Sequence, residues 1–455
     1  MSVTLLCNYI INIWGERLME NNCTISIMPE TSKVDEPVTI KISGLLKNER
    51  VLIRALSNDY YCINTSIFDV GNKAEWESYA VFVADESGTI DLENAKPIEG
   101  TYKEADKMGL FYSMTVKENY KNKIPIRLSD IRENRDYTMT FQVERNGKVI
   151  ASKTHKRIYC DEIISSVDVA EDKLLGRYFT SKENIPKPAI IVLSGSDGRL
   201  EKAQAIAEIF AMHGFSTLAV CYFGLEGTNK SLSCVELECV ENAIDWLKKQ
   251  STVAKNKIGI YGRSKGGEMV LLAASMFKDI SCVIANTPSC YVYEGLKANK
   301  FPSKHSSWMY KGREIPYIKF SFSILIRTLV NMMIGNKEPM AWMYRKLIED
   351  GNAYEAMIPV EKINGSILMA SSLKDKIWPS KTHCEIIVEL LRKAHFKHEY
   401  KHITYEKSGH MLTVPYQSIY PSNKYPDDID GFGKANINCW NETINFINKW
   451  SRQNI

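Results

Sequence analysis

Gly262-Arg263-Ser264-Lys265-Gly266 sets a serine between two glycines. It directly follows the apolar run Lys257-Ile-Gly-Ile-Tyr261 and opens a helical pattern from Glu268 to Met276. A strand that turns sharply into a helix needs glycines where its two arms approach, and it holds the central side chain at the tip. The helix N-terminus beside that tip favours developing negative charge. Ser264 is therefore the candidate nucleophile. A hydroxyl needs a base to take its proton, and the base needs a carboxylate to orient it.

In strand–helix proteins built around such an elbow, the chain order is serine, acid, histidine. His383, His395, His398, His402 and His410 stand late enough to follow an acid. The first two fall on a helical pattern, and His398 and His402 fall at or within a strand pattern. His410 lies in Lys407-Ser-Gly-His410, a loop just after that strand, and is the preferred base. Asp375, in Ser371-Ser-Leu-Lys-Asp375-Lys-Ile-Trp378-Pro379, follows the strand ending near Ala370 and can accept from the histidine. Asp350 is a weaker candidate, and Asp427, Asp428 and Asp430 come after His410, out of order. An oxyanion would find two backbone N–H donors, from Lys265 and from Ser196 in the loop Ser194-Gly-Ser-Asp-Gly198. That loop lacks the GKS and GxGxxG patterns of a phosphate cradle. The spacing of His395, His398 and His402 resembles a metal cluster, yet it crosses a helix-to-strand boundary without one-face geometry. Neither a metal nor a cofactor is expected.

The elements that position these residues occupy the second part of the chain. Ala189-Ile-Ile-Val-Leu193 is a continuous apolar run, the mark of a strand covered on both faces. A helix is expected over about 201–213, closed by Gly214, then a strand over 216–221. Leu237, Val240, Ile244 and Leu247 line one face of the next helix. Strands at 257–261, 282–285, 367–370 and 400–405, with a helix over 381–394, complete an alternation that implies a mostly parallel sheet with helices on both faces. A stretch rich in Met and aromatic residues, at about 290–360, interrupts it. Packing as core is the plain expectation for that insertion, and a mobile lid over an apolar substrate is the sharper one.

Residues 23–165 read differently. Short β-branched or aromatic runs such as Val38–Ser43, Tyr79–Val83 and Tyr137–Val143 are separated by polar turns, and no helical period of useful length occurs. Asn146-Gly147 between two runs signals a type I′ hairpin. An all-β sandwich of immunoglobulin type is expected there, followed by the strand–helix domain over 166–455.

Lys+Arg exceed Asp+Glu by 58 to 54, too even a balance for a nucleic-acid binder or a polybasic membrane binder. Hydrophobic residues at 44% and charged residues at 25% suit a globular chain with a real core and exclude a disordered one. The eleven cysteines are scattered singly, which argues for reduced thiols in the cytoplasm. The apolar start Val3–Trp14 is too short to span a bilayer and lacks the basic flank of a secretory leader. Residues 1–22 are expected to be a poorly structured extension.

Several motifs together resemble a known family. In the first part they are Asp35-Glu-Pro-Val-Thr-Ile40, Ala84-Asp-Glu-Ser-Gly-Thr-Ile-Asp91 and Met108-Gly-Leu-Phe-Tyr-Ser-Met114. In the second they are Gly262-Arg-Ser-Lys-Gly-Gly-Glu268, Ile358-Pro-Val-Glu-Lys-Ile363, Asp375 with Trp378-Pro379-Ser380, and Ser408-Gly-His410. The chain resembles the acyl-CoA thioesterase / bile acid-CoA:amino acid N-acyltransferase family from about Ile25 to Trp450. The resemblance implies an N-terminal β-sandwich, a C-terminal α/β-hydrolase domain, and an enzyme that cleaves acyl-CoA with Ser264, Asp375 and His410 as its triad. Members with serine at the nucleophile tend to hydrolyse, and those with cysteine tend to transfer the acyl group to an amino acid. The Ser194–Gly198 loop and the insertion depart from the family pattern. Arg263 and Lys265, beside the nucleophile, are candidate partners for CoA phosphates. An acyltransferase, an esterase on a non-CoA ester, and a non-catalytic binding protein are the competing readings.

Overall fold

The structure is a computed structural model. It describes residues 23–453 apart from 59, 61, 64–73, 119–124, 134–135, 199, 298–300, 351–352 and 420–427. The extension expected at 1–22 lies outside the described residues. The chain divides into two compact units. One is built from the chain up to Asn122 with Asp136–Ile158 and Tyr416–Asn423, the other from Lys123–Arg135, Tyr159–Pro415 and Lys424 onward.

The first unit is all-β in its sheets. Arg50–Ser57, Glu75–Val83, Asp136–Arg145 and Lys148–Ile158 form the body of the larger sheet, and Thr24–Met28, Thr39–Ser43 and Ile90–Asp91 form a smaller one. Alternate side chains are buried along these strands, as at Val51, Ile53 and Ala55 or Tyr137, Met139, Phe141 and Val143. That period of two is what a sheet with one face on a core requires. Asn146 and Gly147 both adopt positive φ, 49° and 76°, and join two long antiparallel strands. Arg157 is wholly buried, and it donates to the Ser32 hydroxyl and to the carbonyls of Val34 and Glu36. A four-residue helix, Gly109–Tyr112, also appears, with every residue buried.

The second unit is an α/β-hydrolase fold. Its eight-stranded sheet runs, edge to edge, Ile164–Glu171, Leu174–Ser181, Ser216–Cys221, Lys187–Val192, Val253–Arg263, Ile280–Asn286, Ser366–Ser372 and Tyr400–Tyr405. The strands from Ser216–Cys221 onward pair in parallel, while the first two join antiparallel at one edge. Central strands such as Ile280–Asn286 and Ser366–Ser372 are buried at every residue, because helices cover both faces. Helices Glu238–Lys249, Lys265–Met276 and Ser380–Lys393 contribute to one large apolar cluster. Helices Leu200–Met212 and Ile429–Arg452 meet through Phe210 and Trp440, whose rings stack at 5.2 Å.

The insertion between Asn286 and Ser366 behaves in two ways. Trp308, Met343, Tyr344 and Leu347 join the main core. The helix Phe322–Met333 instead buries only Ile324 and Thr328 and leaves Phe322, Ile326, Leu329, Val330, Met332 and Met333 open to solvent. Among the described residues no helix is long and apolar enough to cross a membrane.

Candidate active site

Ser264 ends the strand Val253–Arg263 and caps the helix Lys265–Met276 with φ 57° and ψ −122°. A left-handed conformation costs a residue with a side chain about 1–2 kcal/mol, so packing must hold the turn. The glycines explain how. A Cβ on Gly262 would lie 2.3 Å from the Gly266 carbonyl oxygen, and one on Gly266 would lie 1.8 Å from the Ser194 carbonyl oxygen. Only glycine lets the strand, the helix and the neighbouring loop approach this closely. The Ser264 N–H donates to the Asn286 carbonyl at 2.8 Å, which ties the turn to the next strand.

The structure brings Ser264, His410 and Asp375 together. His410 Nε2 is 2.7 Å from Ser264 Oγ, and His410 Nδ1 is 2.8 Å from Asp375 Oδ2. All three residues are buried. The second carboxylate oxygen of Asp375 accepts the backbone N–H groups of Ile377 and Trp378 at 3.0 and 3.2 Å, which fixes its orientation. A hydroxyl, an imidazole and an oriented carboxylate in this order can move a proton off the serine and stabilise the imidazolium that results.

The histidine loop is framed by a residue that the motifs do not reveal. Thr287 donates its hydroxyl to the His410 carbonyl at 3.1 Å, its N–H to Ala370, and its carbonyl accepts Trp378 Nε1–H at 3.0 Å. Its φ of 44° is the only local peculiarity, and a sequence cannot show it. Trp378 in turn lies edge-on to the His410 ring at 5.7 Å.

Of the donors expected for an oxyanion, Lys265 occupies the first helical position, whose N–H a helix leaves without an internal partner. The loop carrying Ser196 runs close by. The position of a Cβ on Gly195 is 3.5 Å from Ser264 Cβ, and Ser196 itself is half-buried. Tyr222, a second residue unread in the sequence, steadies this loop by donating its hydroxyl to the carbonyls of Ser194 and Gly195.

The remaining candidates go elsewhere. His402 Nε2 pairs with the Ser371 hydroxyl at 2.7 Å, and His395, His398 and His402 do not converge on a common point among the described residues. His383 is buried beside Cys290, and burial pulls its pKa down to about 3, so it is neutral. The side chain of Asp350 and all of Asp427 lie outside the described residues, and Asp428 caps the final helix. Lys265 is corrected as a phosphate partner. Its ammonium is buried, and it donates to both Glu268 oxygens at 2.8 and 2.9 Å and to Ser307 Oγ at 2.9 Å. Arg263 is buried as well, at 5% exposure, and its Nη1 is hidden from solvent.

Residues 35–171 match the acyl-CoA thioester hydrolase/BAAT N-terminal region, and residues 235–452 match the BAAT/acyl-CoA thioester hydrolase C terminal. The chain belongs to this family. Among its similar proteins, the mouse (Mus musculus) peroxisomal succinyl-coenzyme A thioesterase is 25% identical over 447 residues, which cover 94% of this chain and 96% of that one. Rat (Rattus norvegicus) acyl-coenzyme A thioesterase 1 is 26% identical, with 86% of each chain covered. Mouse acyl-coenzyme A amino acid N-acyltransferase 2 is 25% identical over 92% of this chain and 96% of that one. A solved α/β-hydrolase enzyme from a Medee basin deep-sea metagenome library matches with a TM-score of 0.41 at 14% identity, covering 64% of this chain and all of that one. Within the acyl-CoA thioester hydrolase/BAAT family, members named as thioesterases and members named as N-acyltransferases are both similar to this chain, so the family alone leaves the acyl acceptor to be argued from the site.

Proposed function

We propose that the protein hydrolyses acyl-CoA to the free acid and CoA through an acyl-enzyme on Ser264. The observation that carries this reading is the relay from Ser264 Oγ through His410 to Asp375, at 2.7 and 2.8 Å. His410 Nε2 takes the hydroxyl proton as Ser264 Oγ attacks the thioester carbonyl. The N–H groups of Lys265 and Ser196 receive the oxyanion. As the intermediate collapses, the carbon–sulfur bond breaks and the departing sulfur takes the proton from His410 Nε2, which leaves the imidazole neutral again; the sulfur leaves readily because a thiol near pKa ~8.5 is far more acidic than an alcohol. Water, deprotonated by His410, then attacks the acyl-serine and returns Ser264. No step requires a group beyond these side chains and water.

Serine rather than cysteine at position 264 favours water as the acceptor, following the tendency within the family. Transfer of the acyl group to an amino acid is the second reading, supported by the similarity to an N-acyltransferase. A panel of acyl-CoAs and simple esters, each with and without glycine or taurine, separates these readings. Free acid from acyl-CoA, unchanged by the amine, is the expected result. Conjugate as the main product would assign transfer, and faster turnover of simple esters would remove CoA as the carrier. The ten described cysteines are free thiols, which supports a reducing compartment such as the cytoplasm as the place of action; a role in fatty-acid metabolism rests on the acyl-CoA substrate proposed above.

A further inference from the structure

Away from the site just described, three strands bring a thiol, an imidazole and a carboxylate to one point. Cys234 stands before the short strand Val235–Glu236, His305 lies in Phe301–Ser306, and Glu314 ends Arg313–Glu314. Their ligand atoms all lie within 4.8 Å of one another, and His305 Nδ1 is 2.9 Å from Glu314 Oε1.

The backbones beneath these side chains are fixed. The Cys234 N–H donates to the Ser306 carbonyl at 2.8 Å and the Val235 N–H to Ser307 at 2.9 Å. Val235 pairs with Trp308, and Met309 pairs with Glu314. Glu314 Oε2 accepts the Ser306 N–H at 2.7 Å, which turns the other oxygen toward His305. An anchored second oxygen is the kind of outer contact that orients a metal-binding carboxylate. Cys234 holds φ 51°, a left-handed conformation that a residue with a side chain adopts only under constraint.

We propose that Cys234, His305 and Glu314 bind a divalent transition-metal ion of the zinc class. Thiolate, imidazole and carboxylate together suit Zn²⁺ or Co²⁺, whereas Mg²⁺ and Ca²⁺ want oxygen donors alone. Bonds of about 2.0–2.3 Å would bring the three ligand atoms to roughly 3.3–3.5 Å of one another, within side-chain adjustment of their present places. Binding replaces the thiol proton, and any proton on His305 Nδ1, with the metal; the protons go to solvent, and no electron moves. Water completes the fourth position. The site is a clamp rather than part of the hydrolytic chemistry. It joins the segment before helix Glu238–Lys249 to the insertion, and it borders Ser307 and Trp308, which hold Lys265 and Glu268 in the first turn of the nucleophile helix.

Full-length protein stripped of metal by chelator and titrated with Co²⁺ tests this. One equivalent per chain should produce a thiolate-to-Co²⁺ charge-transfer band in the near ultraviolet together with tetrahedral d–d bands, and Zn²⁺ should displace it. Cys234→Ser should abolish the charge-transfer band, and His305→Ala should weaken binding more than about tenfold. Zn²⁺ should raise the melting temperature of the wild type but of neither variant. Absence of the charge-transfer band in the wild type, or its persistence at full strength in Cys234→Ser, would overturn the site.

Discussion

Lys265 Nζ and the Glu268 carboxylate pair at 2.8 and 2.9 Å within the first turn of the nucleophile helix, and neither reaches solvent. Burial pulls the lysine below its ordinary range and pushes the carboxyl above its own, and their contact opposes both displacements. Trp308 Nε1–H donates to the same carboxylate at 2.8 Å, so the pair also anchors the insertion.

Removing one member strands the other's charge in the interior. Glu268→Ala should therefore destabilise the protein by about 3–5 kcal/mol. The double change Lys265→Met with Glu268→Leu should cost much less, because no unpaired charge remains. Denaturant midpoints of the three proteins check this, and a double variant no better than Glu268→Ala would show that the loss is one of packing.

Glycine substitutions should separate close packing from backbone preference. Gly266→Ala drives a methyl group into the Ser194 carbonyl, so both stability and turnover should collapse. Gly147 has φ 76° with nothing within 4 Å of an added Cβ, so Gly147→Ala should cost only about 1–2 kcal/mol and leave turnover intact. Melting curves and steady-state rates measured side by side decide.

Ser264→Ala and His410→Ala should each lower kcat by at least about 10³-fold, and Asp375→Asn by a comparable factor. The far-ultraviolet circular dichroism should not change. Activity near wild type in either of the first two would remove the proposed relay.

Two buried histidines should give the protein an acid-sensitive stability. His383 has its pKa pulled down to about 3 and His155, beside Arg157, to about 4, both by burial first. Each lies below its ordinary value of 6.5, so the unfolded chain binds the extra proton. The stabilisation from neutral burial is complete above pH ~6.5 and is lost as pH falls toward the folded values, with a slope of about 1.4 kcal/mol per pH unit for each group. One group sits in each unit. Denaturation of the α/β-hydrolase unit between pH 4.5 and about 6.5 should lose one proton's worth of slope in His383→Gln, and an unchanged slope would contradict the assignment.

Much of the α/β-hydrolase unit was legible because its strands are unbroken apolar runs. The helix expected over 201–213 is found at Leu200–Met212, and the one expected over 381–394 at Ser380–Lys393. The final helix, Ile429–Arg452, escaped the sequence reading. Phe432, Asn436, Cys439, Trp440, Thr443, Phe446, Ile447 and Trp450 follow a helical period, yet Gly431, Gly433 and repeated asparagines hide it behind poor intrinsic propensity. Packing of Trp440 and Trp450 overrides that propensity. The convergence of Ser264, Asp375 and His410 was legible from motif and chain order. Thr287 and Tyr222 were not, since each acts through a hydrogen bond across a long stretch of chain. Lys265 misled because a lysine in a motif reads as a surface cation, and only its partner three residues on reveals otherwise.

The missing methyl groups at positions 262 and 266 have a wider consequence. With Gly266 against the Ser194 carbonyl and Gly195 against Ser264, the hydroxyl and the neighbouring loop are locked as one block. A side chain at position 266 would therefore disturb the loop and the nucleophile turn together. Tolerated variation is thereby channelled away from that block, toward exposed segments such as the Phe322–Met333 helix, whose outward side chains can be exchanged without touching it.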